Sequence, residues 1–326
     1  MKVLLTGATG FVGRSLVGGL IDAKYNVISL VREHSLSLPE QVVQIAVGDL
    51  KTWSTMNLSF KSKIKKILPD VDVIIHLAAR VHVMADNSHD PLAEFRIVNT
   101  DATLALATMA ADAGVNRFVY LSSIGVNGNN NSRPFTEQDK PRPHNHYAMS
   151  KYEAEQGLIS LAHGSNMDVA IIRPPLVYGP NAPGNFATLI KWVNKGVPLP
   201  FGAIDNKRSF VALQNLISFI MQCMHYPKAA NEVFLISDGE DVSTTELLQK
   251  VSKAFGKKSW LIPIPMIWMK FMAKLVGKND MATQLFGSLQ VDNSKARVLL
   301  GWKPVITMDE QLKITADAYL ENEKTL

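Results

Sequence analysis

The sequence predicts an α/β protein: a doubly wound parallel sheet with helices on both faces, followed by a smaller mixed α/β cap. Three observations predict it. Short β-branched runs alternate with longer helical patterns as far as Arg173, the rhythm of successive βαβ units. A glycine-spaced turn, Gly7-Ala8-Thr9-Gly10-Phe11-Val12-Gly13, joins the first apolar run to the first helical one. After Arg173 the alternation breaks down, and proline and glycine cluster in Pro174-Pro175, Gly179-Pro180 and Pro183-Gly184. A chain of 326 residues is long enough for two modest domains or one large α/β unit.

Val3-Leu4-Leu5 is expected to be the first buried strand, with an amphipathic helix over Phe11 to Ala23. Val27 to Val31 follows as the second strand, and a third apolar run precedes Gly48. Val71 to Leu77 is the fourth, since β-branched residues favour extended chain. Ala102 to Ala113 is alanine-rich and therefore helical. Phe118 to Ser122 reads as a strand, Ser150 to Ala162 as a helix, and Val169 to Arg173 as the strand that closes the series. Asn127 to Asn131 reads as a polar turn or mobile loop. The main boundary falls at Arg173–Gly179. It gives a first domain over 1–173 and a cap over 174–326, with crossings back to the sheet allowed.

Composition narrows the function classes. Hydrophobic residues make up 47% and charged residues 19%, a balance that suits a packed core. The net charge of +5 is spread along the chain, with no basic stripe for nucleic acid. Cys223 is the single cysteine, so no intrachain disulfide forms, which fits a reducing compartment. The N-terminal apolar run is too short for a signal peptide. No window reaches the roughly 18 apolar residues of a membrane span. The expected location is the cytoplasm.

The glycine turn sits where a dinucleotide-binding, Rossmann-type domain needs it. Gly7 permits the sharp turn, Gly10 lets backbone approach a pyrophosphate, and Gly13 allows close helix–strand packing. The helix N-terminus then faces the phosphates. At the tip of the second strand an acid usually binds the adenosine ribose. Here Arg32 stands there, with Glu33 after it. Arg32 either pairs with a 2′-phosphate, which favours NADP over NAD, or is a solvated loop residue. Asp49, before Leu50, either accepts from adenine or caps the next segment.

Tyr147 and Lys151 are spaced i, i+4, which puts phenol and ammonium on one helical face. A neighbouring ammonium and the nicotinamide charge together favour phenolate, so the Tyr147 pKa is expected to fall toward working pH. A tyrosinate can then take a proton from a substrate hydroxyl. Ser122 and Ser123 end a strand, where ligands of open α/β sheets gather. A serine there is placed to orient the reacting oxygen.

Together these residues resemble the extended short-chain dehydrogenase/reductase family, the NAD-dependent epimerases and dehydratases of nucleotide sugars. The resemblance runs through Thr6 to Gly13, His76 to Ala79, Asn99-Thr100, Ser122-Ser123, Tyr147 to Lys151, Arg173 to Pro180, and Val291 to Trp302. It implies that Ser123, five residues before Gly128, joins Tyr147 and Lys151 as the catalytic set. It implies a dinucleotide held by Gly7, Thr9, Gly10, Phe11, Val12, Gly13, Arg32, Asp49, Leu50, Leu77, Ala78, Ala79, Asn99, Tyr147, Lys151 and Pro174. Ser122, Ser123, Asn185, Pro200, Phe201 and Arg208 would meet a UDP-sugar. The resemblance also implies a homodimer built on two helices, one of them carrying Tyr147.

Two positions depart from the UDP-galactose 4-epimerases of the family. Leu176 replaces the asparagine of their R-x-x-N segment, and the acidic NAD marker is absent. Segments around Arg80, Arg208 and Phe286 resemble a bacterial subgroup from surface-polysaccharide gene sets. The expected reaction is therefore reduction of a UDP-4-keto-6-deoxy-N-acetylhexosamine at C4. The alternative is a UDP-glucose or UDP-N-acetylglucosamine 4-epimerase that retains its NAD. A lipid-linked sugar epimerase and a non-catalytic dinucleotide sensor rank below these. Dehydration is disfavoured, because Ser123-Ile124-Gly125 lacks the two acids that dehydratases carry there. No metal site is expected: His76, His82, His89, His144 and His146 lack zinc spacing. Leu261 to Gly277 is expected to pack in the core or cap the substrate site. Its other reading is an interfacial helix, with Lys270 and Lys274 reaching past a membrane surface.

Overall fold

The computed structural model describes residues 1–53, 58–81, 90–269 and 285–325. The first half runs β1 (Lys2–Thr6), α1 (Phe11–Asp22), β2 (Asn26–Val31), β3 (Val43–Ala46), α2 (Leu58–Ile67), β4 (Val73–His76), α3 (Pro91–Arg96), α4 (Ala102–Asp112), β5 (Arg117–Leu121), α5 (His146–His163) and β6 (Asp168–Arg173). The second half runs β7 (Leu176–Tyr178), α6 (Asn185–Asn194), β8 (Arg208–Ala212), α7 (Leu213–His225), β9 (Glu232–Leu235), β10 (Asp241–Val242), α8 (Thr244–Ala254), α9 (Ser294–Leu300) and α10 (Met308–Thr325).

Seven described strands form one parallel sheet in the order β3-β2-β1-β4-β5-β6-β9. The order reverses between β1 and β4, where doubly wound sheets open a ligand crevice. Alternate residues of β1 feed opposite layers, as a two-residue period requires. Val3 and Leu5 pack with Leu16 and Leu20 of α1, Phe219 of α7 and Leu300 of α9. Leu4 packs with Ile64 of α2, Leu106 of α4 and Leu158 of α5.

The chain does cross back after residue 173. β9 forms the seventh strand, and α7 and α9 cover one face of the sheet. Around them a smaller body holds the mixed sheet β10-β8-β7. Its core joins Tyr178, Phe186, Phe210, Leu247 and Leu312.

Three segments differ from the sequence expectation. The alanine-rich helix is preceded by α3 and a π-helical turn over Ile97–Asp101, started by Asp90, whose Oδ1 accepts from Ala93 N at 3.0 Å. Asn127 is buried, not the start of a mobile loop, because its side chain is bonded into the protein interior. In the stretch expected to pack in the core, Ile262, Ile267 and Trp268 are exposed, while Met266 and Met269 pack against the cap. Residues 270–277 of that stretch, with Lys270 and Lys274, lie outside the described residues.

Candidate active site

The carboxyl ends of β1, β2, β4 and β5 open into a pocket of about 820 Å³. Its lining takes in Gly7, Thr9, Gly10, Phe11, Val12, Gly13, Arg32, Asp49, Leu50, Leu77, Ala78 and Ala79. Ser122, Tyr147 and Lys151 line it from the β5 side. Residues not anticipated from the sequence also reach it, among them Glu33, His34, Trp53, Val98, Val177 and Pro183. Val177 and Pro183 come from beyond Arg173, so only the tertiary fold brings them there.

The glycine turn is built for close approach. Gly7 has φ +75°, and a Cβ there would stand 2.8 Å from Ala78 N. A Cβ on Gly13 would stand 2.0 Å from Gly7 O. Gly10 starts α1 with no capping side chain, and the first turn carries no acid. The unmet N–H dipoles of that turn suit an anion such as a pyrophosphate. The residues present therefore fit a dinucleotide. At the end expected to hold adenosine, Arg32 is largely exposed and lies 3.7 Å from Asp49. Asp49 also caps the turn after β3, where its Oδ1 accepts from Lys51 N at 2.9 Å.

His76 braces the floor. Nδ1 lies 2.9 Å from Thr6 Oγ1 and Nε2 3.0 Å from Thr103 Oγ1. Burial, with Lys151 nearby, lowers its pKa to about 3, so the ring is neutral. Thr6 Oγ1 in turn accepts from Ala78 N at 3.2 Å, which ties the β4 end to the glycine turn.

Tyr147 and Lys151 sit in the first turns of α5, which starts four residues earlier than the sequence suggested. Asn145 caps it, its Oδ1 accepting from Ala148 N at 2.8 Å. An N-cap asparagine was the available sequence signal. Phe95 meets the Tyr147 ring edge-on, with centroids 6.3 Å apart. Lys151 is buried, and its Nζ lies 4.2 Å from the centroid of Tyr120. Burial pushes Tyr147 up to about 12. It lowers Lys151 to about 7, against an upward pull from Glu155. Desolvation disfavours both charged forms.

Several expected site residues lie outside the pocket lining. Ser123 Oγ accepts from Gly125 N at 3.1 Å and caps the short turn Ile124–Val126. Asn99 is fully buried in the π-turn; its side chain bonds both backbone groups of Arg80 and Ser150 Oγ. It thus acts on the pocket through Arg80. Pro174 O accepts from Ile124 N at 2.9 Å. Asn185 is the exposed first residue of α6. Pro200 and Phe201 run beside 261–262, with Phe201 in the cap core. Arg208 donates from Nη1 to Gly287 O at 3.0 Å, and burial lowers its pKa to about 10. Among the described residues no group of three His, Cys, Asp or Glu could hold a metal. His82 and His89 lie outside them.

Residues 3–237 match the model of the NAD dependent epimerase/dehydratase family. The chain belongs to that family. It is an enzyme of the extended short-chain dehydrogenase/reductase type. It is 45% identical to a UDP-glucose 4-epimerase of Vibrio cholerae, over 98% of this chain and 96% of that one. It is 28% identical to an N-acetyl-α-D-glucosaminyl-diphospho-ditrans,octacis-undecaprenol 4-epimerase of Escherichia coli O157:H7, over 85% of this chain and 81% of that one. A solved UDP-glucose 4-epimerase of Thermotoga maritima, with UDP-glucose, has the same fold at a TM-score of 0.77. It is 23% identical, over 99% of this chain and all of that one.

Proposed function

We propose that this family member is a UDP-hexose 4-epimerase working with retained NAD. The identity of 45% along nearly the whole length of the Vibrio cholerae enzyme carries the reading. It favours epimerisation over the reduction that the departures at Arg32 and Leu176 suggested. The Arg32–Asp49 pair also supports NAD. A carboxylate beside Arg32 would repel a 2′-phosphate and can accept from a ribose hydroxyl instead.

The glycine turn would hold the pyrophosphate, and Lys151 the nicotinamide ribose. Bound NAD would supply a hydride acceptor and a positive charge beside Tyr147. Tyr147 takes the proton from the sugar O4 and returns it there, with Ser123 orienting that oxygen. Lys151 stabilises the phenolate form in which Tyr147 takes that proton. Asn185, Pro200, Phe201 and Arg208 would bind the UDP-sugar from the cap, and 1–173 with 174–326 would be the two functional halves. A homodimer through α4 and α5 completes the reading, and light scattering would report its mass.

The deciding assay incubates enzyme with UDP-glucose, adds no nucleotide cofactor, and separates UDP-galactose by chromatography. Interconversion supports the epimerase. Consumption of NADPH in step with a UDP-4-keto-sugar, without interconversion, overturns it in favour of the reductase.

A lipid-linked substrate is a second reading, favoured by one observation. Trp260 and Trp268 are 59% and 63% exposed, and the exposed Lys257 and Lys258 stand just before Trp260 in the chain. Tryptophan with lysine suits an anionic membrane surface. Co-sedimentation with anionic but not neutral vesicles, lost in Trp260→Ser/Trp268→Ser, is expected on this reading.

A further inference from the structure

Glu155 is fully buried, one helical turn beyond Lys151 on α5. Its carboxylate accepts from Ser122 Oγ, from Arg173 Nε at 2.9 Å and from Arg173 Nη2 at 2.5 Å. Arg173 Nη1 donates onward to Asn127 Oδ1 at 2.9 Å. Four buried side chains therefore tie α5 to the ends of β5 and β6 and to the turn after β5. Stability alone does not account for them. Taking a carboxylate and a guanidinium out of water is costly, and a well-packed apolar pair is often as stable.

Lys151 explains what the network can do. Residues spaced i, i+4 on a helix are neighbours, with Cβ atoms about 5–6 Å apart. The other titratable groups facing Lys151 are His76 from β4, Tyr120 from β5 and Tyr147 from its own helix. His76 is neutral, and burial raises both tyrosines, so none of the three is an anion near neutral pH. Arg173, behind Glu155, is a cation. Glu155 supplies the negative charge that favours an ammonium, and Ser122 and Arg173 prevent it from swinging away.

We propose that Glu155 is a positioning residue, anchored by Ser122 and Arg173, that keeps Lys151 charged and in register with the end of β5. The proposal rests on the Tyr147–Lys151 reading above. Removing the carboxylate leaves burial unopposed, so Lys151 sheds its proton at lower pH.

The test follows the Lys151 side chain by NMR in full-length enzyme carrying lysine labelled at Cε, with the signal assigned by its loss in Lys151→Met. Glu155→Gln should lower the titration midpoint by about one pH unit or more. The alkaline limb of kcat/KM should move down with it. Glu155→Asp keeps the charge on a shorter stem, so it should hold the midpoint near wild type while kcat falls more than KM changes. Glu155→Gln leaves Arg173 unpaired. Glu155→Gln/Arg173→Met removes both charges, should restore the urea midpoint, and should still shift Lys151 downward. A Lys151 midpoint unchanged from wild type in either folded variant overturns the proposal. Full turnover in Lys151→Met and Tyr147→Phe would instead sink the catalytic reading, and the NMR midpoint would still judge Glu155 alone.

Discussion

Burial holds the Tyr147 phenol at about 12, and burial set against the charge of Glu155 holds the Lys151 ammonium at about 7. Tyr147 reaches its working charge state only when positive charge stands beside the phenol. Tyr147→Phe should therefore lower kcat by about 100-fold or more while nucleotide binding is kept. Turnover and equilibrium binding, measured on one preparation, check both halves. Gly13 is the most constrained position of the glycine turn. Gly13→Ala forces a Cβ to 2.0 Å from Gly7 O, so the turn must open. About 1–3 kcal/mol of stability should be lost, together with cofactor retention. Urea unfolding and the nucleotide released on denaturation report the two effects. Arg32→Asp separates the cofactor readings: if NADP affinity does not fall relative to NAD, Arg32 does not read the phosphate.

Two elements place these residues. The start of α5 is defined by Asn145, two positions before Tyr147. Asn145→Ala should cost about 1 kcal/mol by urea unfolding. It should also lower kcat, because the first turn frays and Tyr147 loses its fixed direction. The π-turn between α3 and α4 is the second element. The extra residue in its turn directs Asn99 at Arg80 and Ser150 at once, a common use of such bulges at functional sites. No alternation or amphipathic pattern marks a π-turn, which is why the sequence reading began its helix only at Ala102.

Across the whole molecule, buried bases with lowered pKa tie stability to pH. His76 titrates near 6.5 when unfolded and about 3 when folded. Between those values the unfolded chain binds more protons, so stability rises with pH and is lost as pH falls from about 6.5 toward 3. Lys151 acts in the same direction in a higher window, from about 7 to the ordinary 10.5. Melting temperature should therefore drop on acidification below pH 6.5. His76→Gln, which keeps a neutral hydrogen-bonding side chain, should flatten that drop. An equally steep drop in the variant would place the acid sensitivity elsewhere.

The sheet, its first helix and the glycine turn were legible in the sequence because they depend on local rules. β-branched alternation, glycine spacing and the i, i+4 Tyr147–Lys151 pair each act within one or two turns of chain. The same rules do not report burial. Spacing put an ammonium beside a phenol, but burial, which no short window reports, raised one pKa and lowered the other. The Ser122–Glu155–Arg173–Asn127 chain joins residues as far apart in sequence as Ser122 and Arg173, so only folding assembles it. The sequence by itself determined the fold class and the family. Tertiary structure decided which polar groups are cut off from water, because the burial that shifts His76, Tyr147 and Lys151 comes from elements far apart in the chain.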